Sequence, residues 1–192
     1  ETPSKQQKKK ATTMIIPSLV DVVVGIDPDS DKSGVAVIEK LTRKITIDTM
    51  KFADVLDCLQ YIKRQSEVSN KKFCVIIEAG WLNTSHWHLK NSDTRASAAA
   101  KGNSVGRNHE TGRKIAEMCE HWNIPYQLVK PLVLRVRGRY LWKGKDGKIT
   151  HEELQEITQL KNKRSNQEER DALLLAWNWL GLPLFVRPKI SK

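Results

Sequence analysis

Residues 19–39 read LVDVVVGIDPDSDKSGVAVIE, and the fold turns on how that stretch is parsed. From Leu19 to Ile26 the chain is apolar and β-branched, without the alternation of a half-solvated strand. Such a run suits a strand buried on both faces. It ends at Asp27-Pro28, and residues 27–34 are turn chemistry, rich in Asp, Ser and Gly. Val35–Glu39 reads as a second strand, residues 41–44 as a turn and 45–52 as a third strand. Connections this short make an antiparallel meander.

Outward from there, Val55, Leu56, Leu59 and Ile62 recur at helical spacing between Ala53 and Gln65. Phe73–Glu78 (FCVIIE) is another buried strand, reached through that helix and so parallel to the first. Residues 79–104 mix loop formers with the helix-favouring RASAAAK of Arg95–Lys101, and read as a long functional loop running into a helix. That helix continues from about Arg107, with Ile115, Met118, Cys119 and Trp122 on one face, and stops at Asn123 and Pro125. Residues 125–130 are a fifth strand and 131–148 a basic loop or hairpin. Thr150 and Glu153 form a capping box for a short helix over 150–159. Ser165 and Glu168 repeat that pattern before a last helix over 172–180, closed by Gly181 and Pro183. The sum is an α/β fold with a five-stranded mixed sheet, three antiparallel strands followed by parallel ones, flanked by helices. Residues 18–187 form a single domain, between a basic disordered tail over 1–17 and a short tail over 188–192.

The 192 residues suffice for one domain with a proper core and are too few for a two-lobed ATPase. Lys and Arg number 33 against 22 Asp and Glu, a formal +11. Of this, +8 falls between residues 79 and 145, a segment that also carries Trp81, Trp87, Trp122 and Trp142. Basic residues interleaved with aromatics suit phosphate contact and base stacking, so nucleic acid ranks before an anionic membrane. The candidate contacts are Arg107, Arg113, Lys130, Arg135, Arg137, Arg139, Lys143 and Lys145. No apolar run approaches the ~18 residues of a membrane span, and no apolar segment follows the polar residues 1–10 as a secretory leader would require. Cys58, Cys74 and Cys119 are widely spaced among apolar residues, as reduced core thiols are. A cytoplasmic protein is expected.

Three acidic positions stand out. Asp27 and Glu78 each follow a buried strand directly, and Glu168 and Asp171 lie three apart at the start of the last helix. Adjacent parallel strands bring Asp27 and Glu78 out side by side, where ligands of open α/β sheets gather. Clustered carboxylates cannot all stay ionised unpaired, and a hard divalent cation such as Mg²⁺ resolves the conflict. Each acid also has an ordinary reading. Asp27 suits an Asx turn, Glu168 is the N3 partner of Ser165 in the capping box, and Asp171 complements a helix dipole. Other patterns fail. Asp27-x-Asp29-x-Asp31 has Lys32 where a calcium loop needs Gly, and Ile38 where it needs Glu. His86-x-His88 lacks a partner at zinc spacing. No GxxxxGK[ST] motif is present, so no nucleotide cofactor is expected.

Taken together, GIDPDSDKSGVAVI (25–38), VIIEAGW (75–81) and EERDALLLAW (168–177) resemble the three acidic motifs of RuvC-type Holliday junction resolvases, of the ribonuclease H-like fold. The likeness spans Val20 to Leu180. It implies a magnesium-dependent endodeoxyribonuclease of DNA recombination and repair, with two Mg²⁺ held by Asp27, Glu78, Glu168 and Asp171 and Mn²⁺ as a possible substitute. It implies Lys130 and Lys148 as catalytic lysines against phosphate, Trp81 as a stacking residue for a junction base, branched DNA as substrate and a homodimer. Gly34 matches the glycine that opens the family's second strand. Glu at 168, the Trp/His-rich segment after Trp81 and the Arg-rich stretch 135–148 depart from the family pattern and suggest a divergent, viral or mobile-element member. The competing readings are another ribonuclease H-like nuclease, acting on RNA–DNA hybrids or flaps, and a non-catalytic DNA-binding protein of the same fold.

Overall fold

A computed structural model describes residues 15–83, 92–160 and 164–184. The expected tails lie outside these apart from residues 15–17, as do Trp87 and the two histidines that flank it. Five strands, β1 (Val22–Asp27), β2 (Ser33–Glu39), β3 (Lys44–Met50), β4 (Phe73–Glu78) and β5 (Tyr126–Val129), form one sheet in the order β3-β2-β1-β4-β5. β2 runs against both β1 and β3, while β4 is parallel to β1 and β5 parallel to β4. This is the ribonuclease H-like arrangement expected above.

Strand alternation splits the core in two. Val22, Val24, Ile26, Val75 and Ile77 face α1 (Phe52–Val68) and α2 (Arg95–His121), meeting Val55, Leu59, Ile115 and Cys119. Val23, Ala36, Ile38, Cys74 and Ile76 face α4 (Gln167–Trp179), meeting Ala172, Leu173 and Ala176, with Leu154 of α3 (His151–Thr158) in the same cluster. Helices cover both faces, which is why β1 and β4 read as continuous apolar runs.

Two glycines set how closely α4 docks. A Cβ on Gly25 would run into the Ala172 carbonyl and lie 2.9 Å from Ala176 Cβ. A Cβ on Gly34 would run into the backbone of Glu168. The first turn of α4 therefore lies directly over the end of the β1–β2 pair, where Asp27 stands opposite Gly34.

Three sequence expectations are corrected, and the basic loop or hairpin expected over 131–148 is a hairpin. α2 begins at Arg95, with Thr94 as its cap, and runs unbroken to His121, so the helix-favouring Arg95–Lys101 is helix and residues 102–106 join it to the helix expected from about Arg107 without a loop between. Gly102 and Gly106 each cost about 1 kcal/mol against alanine, but both stand in open space on the helix surface, and Ala98 to Ala100 favour the helix around them. The capping box of α4 is Asn166–Glu169, one residue later than expected: Asn166 Oδ1 accepts from Glu169 N at 2.9 Å, and Glu169 Oε2 from Asn166 N at 3.0 Å. Ser165 instead pairs its hydroxyl with His151 Nδ1 at 2.8 Å. Trp142 is 8% exposed and Trp122 packs against the α1–α2 core, so neither is a platform for bases. Residues 131–148 resolve into a hairpin, β6 (Arg135–Val136) and β7 (Arg139–Tyr140), turned through Arg137 (φ 49°) and Gly138 (φ 81°), followed by a turn with Asp146 at φ 56° and Gly147 at φ 78°.

The capping box Thr150–Glu153 is formed as expected. Cys58, Cys74 and Cys119 are free thiols, the last two buried. Among the described residues no helix is long and apolar enough to cross a membrane.

Candidate active site

The site is built at one end of the sheet. β1 and β4 pair in register up to Ile26 with Ile77, and the next residues are Asp27 and Glu78. Alternation puts both carboxylates on the α4 face, with Val23, Gly25, Cys74 and Ile76. α4, drawn down by Gly25 and Gly34, brings Glu168 and Asp171 to the same end. Both readings of Glu168 were open in the sequence. With Glu169 as the capping residue, Glu168 has no capping role.

The charges of these side chains act on one another. Burial first, and then the charges of Glu78, Asp171 and Glu168, raise the Asp27 carboxyl well above the usual carboxylate range, against a lowering by Lys148. Burial and the Asp171 charge push Glu78 up to about 7, again opposed by Lys148. Among the described residues three acids thus act on Asp27, and one lysine answers them. Lys148 Nζ stands 2.6 Å from Asp171 Oδ2. Burial works against its ammonium, but Asp171, with Asp27 and Glu78 behind it, more than offsets this and raises the lysine. The other Asp171 oxygen accepts from Gln167 Nε2 at 2.7 Å. Arg170, the residue between the acids and the loop, donates to the carbonyls of Ile149 and Ser165 and to Gln167 Oε1. It ties the Lys148 loop to the start of α4.

Lys130 directly follows β5, whose last residue Val129 pairs with Glu78, and is exposed. Lys148 is the lysine whose charge reaches the acids. Among the described residues no group of three or more His, Cys, Asp or Glu is arranged as a ready metal cage. The donor set still fits a hard cation in its chemistry: carboxylate oxygens only, half-buried, and under-neutralised by one ammonium among the described residues.

On the other side, the β1–β2 turn is tied to α2. Asn108 donates to Asp29 Oδ2 at 2.7 Å, and its Oδ1 accepts from Ser30 N at 3.0 Å. Asp29 Oδ1 accepts from Asp31 N, so Asp29 serves the turn. The Trp81 ring lies on Gly112 of α2, where a Cβ would come 2.7 Å from Trp81 Cζ3. His109 meets the ring edge-on at 6.0 Å, and the Arg113 guanidinium lies 5.1 Å from its centroid. Trp81 is half-buried here, and Arg113 is brought to it. Arg107 is exposed on the same helix. Arg135, Arg137 and Arg139 are exposed on the hairpin, and Lys143 and Lys145 just beyond it. Arg135 stacks on Tyr140 at 4.4 Å and donates to its hydroxyl at 3.0 Å.

Comparison with solved structures finds likenesses to the T. thermophilus RuvC in complex with Holliday junction substrate and to a Fowlpox virus resolvase in complex with substrate Holliday junction DNA. The first is 14% identical over 81% of this chain and 89% of that chain, with a TM-score of 0.44. The second is 10% identical over 83% and 97%, with a TM-score of 0.38. No protein-family model and no curated protein matches. Neither likeness carries the functional reading, which stands on the acids, the lysine and the basic surface.

Asn108, Gln167 and Arg170 were missed in the sequence. Gln167 had a signal, since it lies four residues before Asp171 on one helix face. Gly112 had another, since a glycine inside a helix often marks a close approach. Asn108 had none, because its partners are 78 and 79 residues away.

Proposed function

We propose that this protein is a metal-dependent, structure-selective DNA endonuclease that resolves four-way junctions by phosphodiester hydrolysis. The observation that carries the reading is the gathering of Glu78, Asp171 and Glu168 about Asp27 at a strand end, with Lys148 paired to Asp171. A structural ion cluster would balance its charge, whereas this one is left acidic beside a basic surface.

Asp27, Glu78 and Asp171, with Glu168 assisting, would hold two Mg²⁺, for which Mn²⁺ could substitute. Bound there, the ions would supply Lewis-acid activation of water and stabilisation of the leaving oxygen. The chain's own groups do the rest. Gln167 and Lys148 orient Asp171, and Lys148 offers an ammonium to phosphate once the acids are otherwise neutralised. Arg135, Arg137, Arg139, Lys143 and Lys145 hold the backbone from one side, and Arg107 and Arg113 from α2, while Lys130 faces phosphate at the end of β5. Trp81, braced by Gly112 and Arg113, would stack on an unpaired base. Two symmetric cuts in a two-fold substrate call for a homodimer. The test is a substrate panel of four-way junction, flap, RNA–DNA hybrid and plain duplex. Preference for the junction is expected; equal cutting of duplex or hybrid would contradict resolution.

A further inference from the structure

The hairpin and the catalytic lysine are joined by one side chain. Gly147 sits at φ 78°, and a Cβ there would run into the Tyr140 ring. Tyr140 therefore covers the backbone next to Lys148, while its outer side carries Arg135 by stacking and by a hydrogen bond. The loop between is fixed at both ends. Trp142 is buried, the Lys143 amide donates to Glu153 Oε1 at 3.0 Å, and Ile149 is 1% exposed. Within it Gly144 N donates to the Lys148 carbonyl at 3.0 Å, and Lys148 N to the Lys145 carbonyl at 3.2 Å. Between these anchors the Lys148 backbone can shift only with the turn that Tyr140 covers.

We propose that Tyr140 is a positioning residue that couples the basic hairpin to Lys148. DNA phosphate seated on Arg135, Arg137 and Arg139 bears on the Tyr140 ring, the ring bears on Gly147, and the Lys148 ammonium is thereby set relative to Asp171. The cluster would then be fully arranged only when DNA lies on the hairpin. This rests on the nuclease reading above. The ring matters for coupling and the hydroxyl for holding Arg135, so the two can be separated.

The experiment uses the full chain and a labelled four-way junction. It measures the single-turnover cutting rate at saturating enzyme with Mg²⁺, and the Kd by anisotropy in EDTA. Tyr140→Ala is expected to slow cutting of bound DNA by at least about tenfold, as small misplacements of catalytic groups do, beyond any weakening of Kd that comes from releasing Arg135. Tyr140→Phe keeps the ring and is expected to restore the rate. If Tyr140→Ala melts early, Tyr140→Leu replaces it, with the same slowing expected. Wild-type cutting combined with an unimpaired rate in Tyr140→Ala, or a loss confined to Kd, overturns the coupling and leaves the nuclease reading intact. A wild type that cuts none of these DNAs overturns the nuclease reading, and the coupling with it.

Discussion

Lys148 and Asp171, 23 residues apart in sequence, meet with Nζ 2.6 Å from Oδ2, and among the described residues this is the one ion pair made by the four gathered carboxylates. Replacing Lys148 with Met removes the counter-charge and the phosphate donor together. Cutting is expected to fall by about 10²-fold, the usual cost of losing one electrostatic group at a phosphoryl or acyl centre. The metal-free protein is also expected to melt lower at pH 8. An unchanged cutting rate would show that Lys148 only shields Asp171.

Glu78 gives a pH signature. Its carboxyl is raised from 4.5 to about 7, chiefly by burial and then by Asp171. Below pH 4.5 it is protonated both folded and unfolded. Between 4.5 and about 7 the folded state keeps a proton that the unfolded state has lost, so its contribution to stability falls as pH rises and is gone above the folded value. Asp27, raised in the same direction, adds to the slope. Melting of the metal-free protein from pH 5 to 8.5 is expected to decline. Glu78→Gln is expected to flatten that decline and to raise the melting temperature at pH 8 by roughly 5 °C. Mg²⁺ is expected to stabilise the wild type more at pH 8 than at pH 6, and to do less for the variant.

Capping and site chemistry separate at neighbouring residues. Asn166→Ala removes the cap of α4 and is expected to cost about 1 kcal/mol in chemical denaturation. Glu168→Gln is expected to leave stability nearly unchanged and to reduce cutting. The reverse pattern would return Glu168 to a structural role.

The hairpin arginines should show in salt dependence. Changing Arg135, Arg137 and Arg139 to Gln is expected to weaken junction binding and to lower the slope of log K against log salt by about 2–3, near 0.9 per lost phosphate contact. Equal slopes would place DNA elsewhere.

The sheet and the positions of Asp27, Glu78 and Asp171 were legible because their signals are local: buried runs ending in an acid, and two acids one helical turn apart near a helix start, although α4 begins at Gln167 and Asp171 falls in its second turn. What escaped depends on partners distant in sequence. Glu168 looked like a cap because Ser165 precedes it by three, whereas Asn166 and Glu169 form the capping box and Ser165 pairs with His151. Trp142 looked like part of a basic, aromatic surface because composition does not show which way a ring points. The helix-favouring Arg95–Lys101 was not joined to the helix from Arg107 because Gly102 and Gly106 between them are breakers in isolation, whereas on an open helix face they are tolerated. Gly34, carried only as a motif match, has its reason in the backbone of Glu168 lying against it.

The most direct test compares wild type with Asp27→Asn on a four-way junction, with Mg²⁺ and without. Wild type is expected to cut at the branch only with the metal, and Asp27→Asn to bind the junction as well or better while cutting none of it. Cutting by Asp27→Asn at the wild-type rate, or a wild type that binds the junction and cuts it with neither Mg²⁺ nor Mn²⁺, would contradict a nuclease centred on these acids.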